Sequence, residues 1–493
     1  MNSALIVILI FLLLSIFLGI KAKKGKQMDL DEWAVGGRGF GAFFIFILLA
    51  GEMNTTFTFL GGSGWSYDKG APAAYMIIYL PLSIIMLYWL APAIWKYAQS
   101  RKLVSQPDFF ASKYNSPFLG VLVAVIGVIA MVPYLVLQLK GLGIIVSAAS
   151  YGAISPSVAG IIGAAALTIY VMVSGIHGSA WTAVLKDIMI FFIVLFLGIY
   201  LPLHYYGGIQ PMFESVEKLK PGFFHLPDEG LSLSWFISAT LLSAVGGIVW
   251  PHLFNAIYSS ESSRAIRKNT IMQPIYSLML LFVFFVGFTA IGQVPGLKGP
   301  DTDFALLKLS IMTFDPWFVG LIGAAGLLTA LVPGSMLLMA TSTSLSLNVY
   351  KVMVPSATGQ QVMKMAKYLV PVVALVATYF TINGGNTIVT LLLLGYGFIA
   401  QLLPALLFSF LKNNFVNKYG AVAGMITGVA AVMYTTFNQS SFGTLFPSLP
   451  QFIKDLDIGI VALVLNTLVT IIVSVVAQGL VAKEVTDGKE SLS

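Results

Sequence analysis

The stretch that decides the fold is LLAGEMNTTFTFLGGSGW, residues 48–65, where polar residues interrupt an apolar segment. Gly51 is followed at once by Glu52, and Asn54 comes two residues later. A charged side chain at the centre of a bilayer costs about 3 kcal/mol even on the scale that gives the lowest values. Such an interruption predicts a broken transmembrane helix, whose free backbone carbonyls can hold a cation.

A second interrupted segment lies about five helices further along the chain. Its sequence is GGIVWPH, residues 246–252, in which two glycines are followed by a tryptophan, a proline and a histidine. Paired interruptions at corresponding positions of two halves are the best sequence indication of a transporter site. The alternative is that glycine only lets membrane helices pack closely. The two segments together, one of them containing Glu52, favour a functional site.

The composition of the whole chain is that of a membrane protein. Of its 493 residues, 58% are hydrophobic and 10% are charged, and the mean hydropathy is +0.90. A soluble domain has about 25% charged residues, so these values exclude a soluble enzyme, a disordered protein and a nucleic-acid-binding protein. The net charge of +7 therefore indicates no nucleic-acid partner, and the lack of cysteine excludes disulfides and thiolate metal sites.

Thirteen stretches are long and apolar enough to cross a bilayer as helices, since one crossing needs about 20 residues. Helices are predicted because every backbone polar group must be satisfied within the lipid. The predicted spans are residues 3–20, 40–63, 72–97, 117–149, 155–175, 182–205, 234–257, 271–294, 315–349, 367–383, 388–411, 419–437 and 458–478.

The basic residues predict which way the chain crosses the membrane. The first span is followed by Lys21, Lys23, Lys24 and Lys26, and most of the 27 lysines and arginines fall on the same side when thirteen crossings are drawn. Basic residues concentrate in cytoplasmic loops. We therefore expect a multi-pass plasma-membrane protein with its N-terminus outside and its C-terminus in the cytoplasm.

Four stretches, in this order, resemble motifs of the sodium:solute symporter family. They are DEWAVGGRGFG from Asp31, FLGGSGWSYDKG from Phe59, YLVLQLKGLG from Tyr134 and SGIHGSAWTAVLKD from Ser174. The resemblance implies an all-α, LeuT-like fold, in which two five-helix repeats are inverted relative to each other and each has a broken helix. The implied segments are residues 1–39 (an extra helix and an inner loop), 40–205 (first repeat), 206–233 (outer loop), 234–411 (second repeat) and 412–493 (two helices and a tail).

The resemblance also implies an ion site and a substrate site at the first break. The sodium ligands would be the carbonyls of Leu49 and Glu52 and the hydroxyl of Thr329, and we expect no cofactor besides the coupling cation. The substrate would lie between the two broken helices. The predicted substrate-binding residues are Thr55, Thr56, Phe57, Gln138, Lys140 and Trp250.

This chain departs from the family pattern at the remaining ion ligands. Val332 and Pro333 stand where typical members have two adjacent hydroxyl residues, and Ala183 stands where they have an acid. A hard cation prefers several oxygen ligands, so the departure argues against sodium. The LVPGS sequence resembles the monocarboxylate permease branch, and we expect protonation of Glu52 to replace sodium.

Several candidate residues also have a structural interpretation. Threonines in membrane helices often bond to their own backbone, and Gln138 could bridge two helices. Lys140 could pair with Glu52, meet a substrate carboxylate, or extend to the outer interface. For Asp187 and His252 the structural role is favoured, as a residue of a helix end and as a packed histidine.

The sequence therefore predicts a secondary active symporter that imports a small organic solute with H⁺ or Na⁺, and no enzyme. The substrate would be an anion such as pyruvate, lactate or acetate, and the other partner is the lipid bilayer. The alternative within transport is a sodium-coupled symporter for pantothenate, proline or another metabolite. A membrane sensor is the alternative from a different class, and the tail beyond the last span is too short for a signalling domain.

Overall fold

The computed structural model describes residues 2–25 and 28–490 and is helical throughout, with no β-strand among these residues. Lys26, one of the predicted topology residues, lies outside the described residues. Short 3₁₀ or π segments connect several helices. The first nine α-helices are α1 (Ser3–Lys23), α2 (Leu30–Val35), α3 (Ala42–Met53), α4 (Gly62–Lys69), α5 (Tyr75–Arg101), α6 (Gln106–Lys113), α7 (Pro117–Ala149), α8 (Pro156–Tyr206) and α9 (Ile209–Leu219).

The remaining helices complete the bundle and the predicted C-terminal pair. The next seven are α10 (Leu233–Gly246), α11 (Pro251–Tyr258), α12 (Ser263–Ser277), α13 (Leu280–Gln293), α14 (Ala305–Thr313), α15 (Pro316–Leu345) and α16 (Lys351–Met353). The last seven are α17 (Gly359–Asn383), α18 (Ile388–Ile399), α19 (Leu403–Phe408), α20 (Lys418–Phe437), α21 (Phe442–Leu445), α22 (Gln451–Lys454) and α23 (Ile458–Glu490).

Two spans are broken, at the positions that the sequence indicated. Helix α3 and the segment Phe57–Lys69 meet at an angle of 48°, and α10 and α11 meet at 43°. The second break comes just before Pro251, which lacks the N–H group that a continuous helix needs. Within the described residues, ten further helices are long and apolar enough to cross a membrane.

Two contacts define the end of the bundle that holds the N-terminus. Asn2 Nδ2 donates a 2.8 Å hydrogen bond to the carbonyl of Ala149, the last residue of α7. Ala4 packs directly against Gly320 near the start of α15. The charge distribution predicts that this end faces outside, and we call it the predicted outer end.

Helix α8 crosses the bundle twice. It has 51 residues, and at 1.5 Å per residue its length of about 77 Å far exceeds a hydrocarbon core of roughly 30 Å. Gly175 interrupts it with φ 58° and ψ −162°. Its first residue packs against Gly143 of α7, and Tyr205 in its last turn bonds Thr313 just before α15 at 2.9 Å. Both ends therefore lie at the predicted outer end, and the two halves complete the thirteen predicted crossings.

Replacing Gly175 with alanine should prevent most of the protein from folding. Its backbone conformation is nearly exclusive to glycine and costs other residues about 1–3 kcal/mol. A Cβ there would also lie 2.7 Å from Cδ1 of Trp33 and 3.1 Å from its carbonyl oxygen. Size-exclusion chromatography of a fluorescent fusion in detergent measures the folded yield. Gly39→Ala is the matched control, since its Cβ would meet nothing within 4 Å, and equal yields from the two variants would contradict the prediction.

Helix α15 forms the centre of the bundle and positions the ion-site candidates. It packs against α1, α7, α8 and α17, and nearly all of its residues are buried. The face that carries Thr329 and Val332 therefore lies within the protein, beside the first break, instead of facing lipid.

Candidate functional site

The two breaks border one small cavity in the middle of the bundle. Its volume is about 20 Å³, which is room for about one water molecule. Residues from α3, α5, α7, the second break and α18 line it. Five aromatic side chains are among the residues that line it: Phe57, Tyr79, Tyr134, Trp250 and Tyr396.

Glu52 and His252 meet at this cavity. Glu52 Oε2 lies 3.3 Å from His252 Nε2, and the two side chains are only 2% and 3% exposed. Among the described residues, neither carboxylate oxygen of Glu52 has a hydrogen-bond partner, and His252 Nδ1 has none. Each buried polar atom left without a partner costs about 1–3 kcal/mol. Such atoms are typical of a binding site, where a ligand or a proton supplies the missing partner. A packed role is the prediction for His252, and nothing in the sequence connects it with Glu52.

The aromatic wall is itself a connected set of rings. The ring of Trp250 lies 5.0 Å from that of Tyr134 and 5.5 Å from that of Tyr396, and the hydroxyl groups of Tyr396 and Tyr79 are 3.3 Å apart. Tyrosine and tryptophan combine an apolar body with a polar tip. Of the predicted substrate-binding residues, Phe57 and Trp250 line the cavity.

The predicted polar contacts after the first break are engaged within the protein. Thr56 Oγ1 donates a 2.7 Å hydrogen bond to Gln138 Oε1, and both side chains are fully buried. Thr55 Oγ1 accepts a hydrogen bond from the backbone N–H of Phe57 at 3.1 Å. The structure thus brings Thr56 and Gln138 together, but it does not place them or Thr55 on the wall of the cavity.

Lys140 lies near the predicted outer end and is held by Asp303. Its ammonium lies 2.6 Å from Asp303 Oδ2 and 2.7 Å from the carbonyl of Asn386. The same carboxylate oxygen accepts the N–H of Ile388 at 3.1 Å. Burial raises the pKa of Asp303, and the nearby Lys140 ammonium opposes that shift. Lys140 is therefore paired with Asp303 instead of Glu52, and it joins α7 to the loop before α14 and to the start of α18.

The three predicted sodium ligands all take part in hydrogen bonds within the protein. The carbonyl of Leu49 accepts a 2.8 Å hydrogen bond from Gln273 Nε2, and that of Glu52 accepts one of 3.1 Å from the hydroxyl of Tyr134. Thr329 Oγ1 donates to a carbonyl of its own helix at 2.6 Å. Each of these groups already has a partner within the protein.

Lys186 occupies the first break. Its side chain is fully buried, and its ammonium donates to the carbonyls of Gly51 at 3.0 Å and Asn54 at 2.9 Å. Asp187 Oδ1 lies 2.9 Å from the same nitrogen and accepts a 3.2 Å hydrogen bond from the hydroxyl of Tyr276. Lys186 is not among the predicted site residues, although a lysine inside an apolar span is as costly as Glu52.

Two broken membrane-spanning helices with a candidate site between them are typical of a membrane transporter. The sequence profile of the sodium:solute symporter family matches residues 33–428, and the chain belongs to that family. The predicted family is therefore confirmed. The predictions of a transporter instead of an enzyme, of cation-coupled solute symport and of a multi-pass membrane protein are confirmed with it.

Comparisons with individual proteins agree with this assignment. The chain is 62% identical to the uncharacterized symporter YhjB of Bacillus subtilis, over 97% of this chain and 98% of the relative. It is 30% identical to the monocarboxylate transport permease protein of Rhizobium johnstonii, over 87% of each. A solved Na⁺-coupled sialic acid symporter in its outward-open state superimposes with a TM-score of 0.77 at 16% identity, covering 97% of this chain and 98% of that one. This likeness confirms the LeuT-like fold.

Proposed function

We propose that the protein imports a short monocarboxylate together with one proton across the plasma membrane. The observation that carries the proposal is the Glu52–His252 pair, whose unpaired polar atoms border the central cavity. The name of the Rhizobium johnstonii relative supports a monocarboxylate substrate. The small volume of the cavity favours a substrate of a few heavy atoms, because a larger one would require a larger displacement of the aromatic wall.

The proton follows from the charge of the substrate. Two anions about 4 Å apart repel by roughly 4 kcal/mol at an effective dielectric constant of 20, so a carboxylate cannot settle beside an ionised Glu52. When a proton from outside binds Glu52, the neutral acid can donate a hydrogen bond to the substrate carboxylate. Release of both to the inside returns Glu52 to its ionised form. The cycle thus carries one proton and one anion inward and moves no net charge.

The fold supplies the movement that this cycle needs. In transporters built from inverted repeats, one bundle rocks against the other around a central site. The predicted repeats, residues 40–205 and 234–411, each contribute one broken helix to the cavity wall. Thr55, Thr56, Gln138 and Lys140 stay predicted substrate contacts for conformations in which the cavity is wider.

Uptake into proteoliposomes tests this proposal. Labelled pyruvate and lactate are offered either with a pH gradient in sodium-free buffer or with a sodium gradient at constant pH, and empty liposomes are the control. We expect accumulation only with the pH gradient, acidic outside. Accumulation driven by sodium at constant pH would contradict the proposal that the coupling ion is a proton. If the protein takes up proline or pantothenate but neither monocarboxylate, the proposed substrate class is wrong.

A further inference from the structure

The ammonium of Lys186 is fully coordinated at the break between α3 and the following helix. A lysine has three N–H donors, and three oxygen atoms surround this one: the carbonyls of Gly51 and Asn54 and a carboxylate oxygen of Asp187. The two carbonyls lie where α3 ends, at Met53, so the break leaves them without helical partners. A positive charge built into the chain therefore occupies the cation-binding end of this helix.

Two apolar side chains, Ala183 and Val332, also lie at this position. A Cβ on Gly51 would lie 3.5 Å from each of three atoms: Lys186 Nζ, Ala183 Cβ and Val332 Cγ1. A free hard cation prefers about six or more oxygen ligands, and Ala183 and Val332 provide none. Lys186 thus fills the space and takes the oxygens that a free ion would need.

The second break shows that a charge is not required merely to satisfy free carbonyls. There the carbonyl of Val249 accepts a 2.5 Å hydrogen bond from Gln106 Nε2, and Gln106 is fully buried and neutral. A buried charge pays a large desolvation penalty that a neutral amide avoids. The presence of Lys186, and of Asp187 beside it, therefore indicates that the first break needs a positive charge.

We propose that the Lys186 ammonium is a tethered cation that permanently occupies the ion site at the first break, so the protein transports its substrate without binding sodium. This inference rests on the proposed proton-coupled symport. It explains how the ion site at the first break is filled when no sodium ion is bound. Asp187 holds the ammonium in place and balances its charge, while Glu52 stays free to carry the proton.

The unaltered protein gives the first test. Its thermal unfolding in detergent and its uptake in proteoliposomes are measured in sodium chloride and in choline chloride of equal ionic strength. We expect the same melting temperature and uptake rates within twofold of each other. A saturable, sodium-specific rise in either quantity would overturn the inference. Because unfolding needs no substrate, this readout still decides the question if the proposed monocarboxylate proves wrong.

The second test removes the tethered cation. In Lys186→Ala the two carbonyls and the Asp187 carboxylate are left facing an emptied space, which sodium can enter with water molecules as its remaining ligands. We expect at least a tenfold loss of uptake in choline, and a sodium-specific rise of several degrees in melting temperature. Lys308→Ala is the matched control, since Lys308 is exposed, and it should behave as the unaltered protein in both salts.

The outcomes of the second test are distinct. A folded Lys186→Ala protein that sodium does not stabilise, or that transports at the original rate in choline, would show Lys186 to be only a structural link and would overturn the inference. If the variant does not fold, the sodium dependence of the unaltered protein decides alone.

Discussion

Replacing Glu52 with glutamine should abolish the accumulation of substrate under a pH gradient while exchange of substrate across the membrane continues. With one proton carried per anion, a gradient of one pH unit supports about tenfold accumulation, since about 1.4 kcal/mol corresponds to a factor of ten. Glutamine keeps the size of the side chain and can donate a hydrogen bond, but it cannot release a proton. The accumulation ratio should therefore fall from about ten to one.

The matched control for this prediction is Glu261→Gln, because Glu261 is exposed and does not line the cavity. It should accumulate substrate as the unaltered protein does. Exchange is measured by loading proteoliposomes with unlabelled substrate and following the entry of labelled substrate without a gradient. A Glu52→Gln protein that still concentrates substrate tenfold under the pH gradient would rule out Glu52 as the proton carrier.

Replacing Lys140 with methionine should open the central cavity to the predicted outer end. The Asp303 carboxylate is completely buried and the Lys140 side chain is 16% exposed. Removing one partner of a buried ion pair costs about 3–5 kcal/mol of stability. Because Lys140 is partly exposed, we expect its loss to cost an amount at or below the lower end of this range. The pair ties three segments together at this end, and its loss should favour conformations in which they separate.

A cysteine in the cavity reports this opening, because the natural chain has no cysteine. In a Ser83→Cys protein, whose position 83 lines the cavity, the rate of labelling by a membrane-impermeant maleimide from outside is measured. Lys140→Met should raise this rate at least tenfold, and Lys308→Met should leave it unchanged. A double variant, Lys140→Met with Asp303→Leu, should recover much of the closure, since apolar residues can replace a buried ion pair. Equal labelling with and without Lys140→Met would contradict the role of this pair.

The fold could be predicted largely from local features of the chain. Long apolar stretches have few alternatives to helices in lipid, and the interruptions at Gly51 and at Gly246–Gly247 coincide with the observed breaks. The sequence also separated the two halves of α8, which turn at Gly175. Each of these features depends on residues that are close neighbours along the chain.

The ion site was harder to predict because it depends on where a helix ends. The carbonyls of Leu49 and Glu52 are the predicted ion ligands, and each accepts a hydrogen bond, from Gln273 and from Tyr134. The carbonyls at the break that meet a cation belong to Gly51 and Asn54. A shift of one or two residues in the helix end changes which carbonyls are free, and sequence patterns do not fix helix ends that closely.

The sequence by itself determined that this protein is a bundle of membrane-crossing helices with two breaks and an acid at the first of them. Hydropathy and the conformational limits of glycine and proline act over a few residues, so they can be read without knowing the contacts. Only the tertiary structure decided the partners: Lys186 with Gly51, Lys140 with Asp303 and Glu52 with His252. The first two pairs are separated by 135 and 163 residues along the chain. Packing of distant helices brings such groups together, because a buried charge is stable only where the fold supplies its partner.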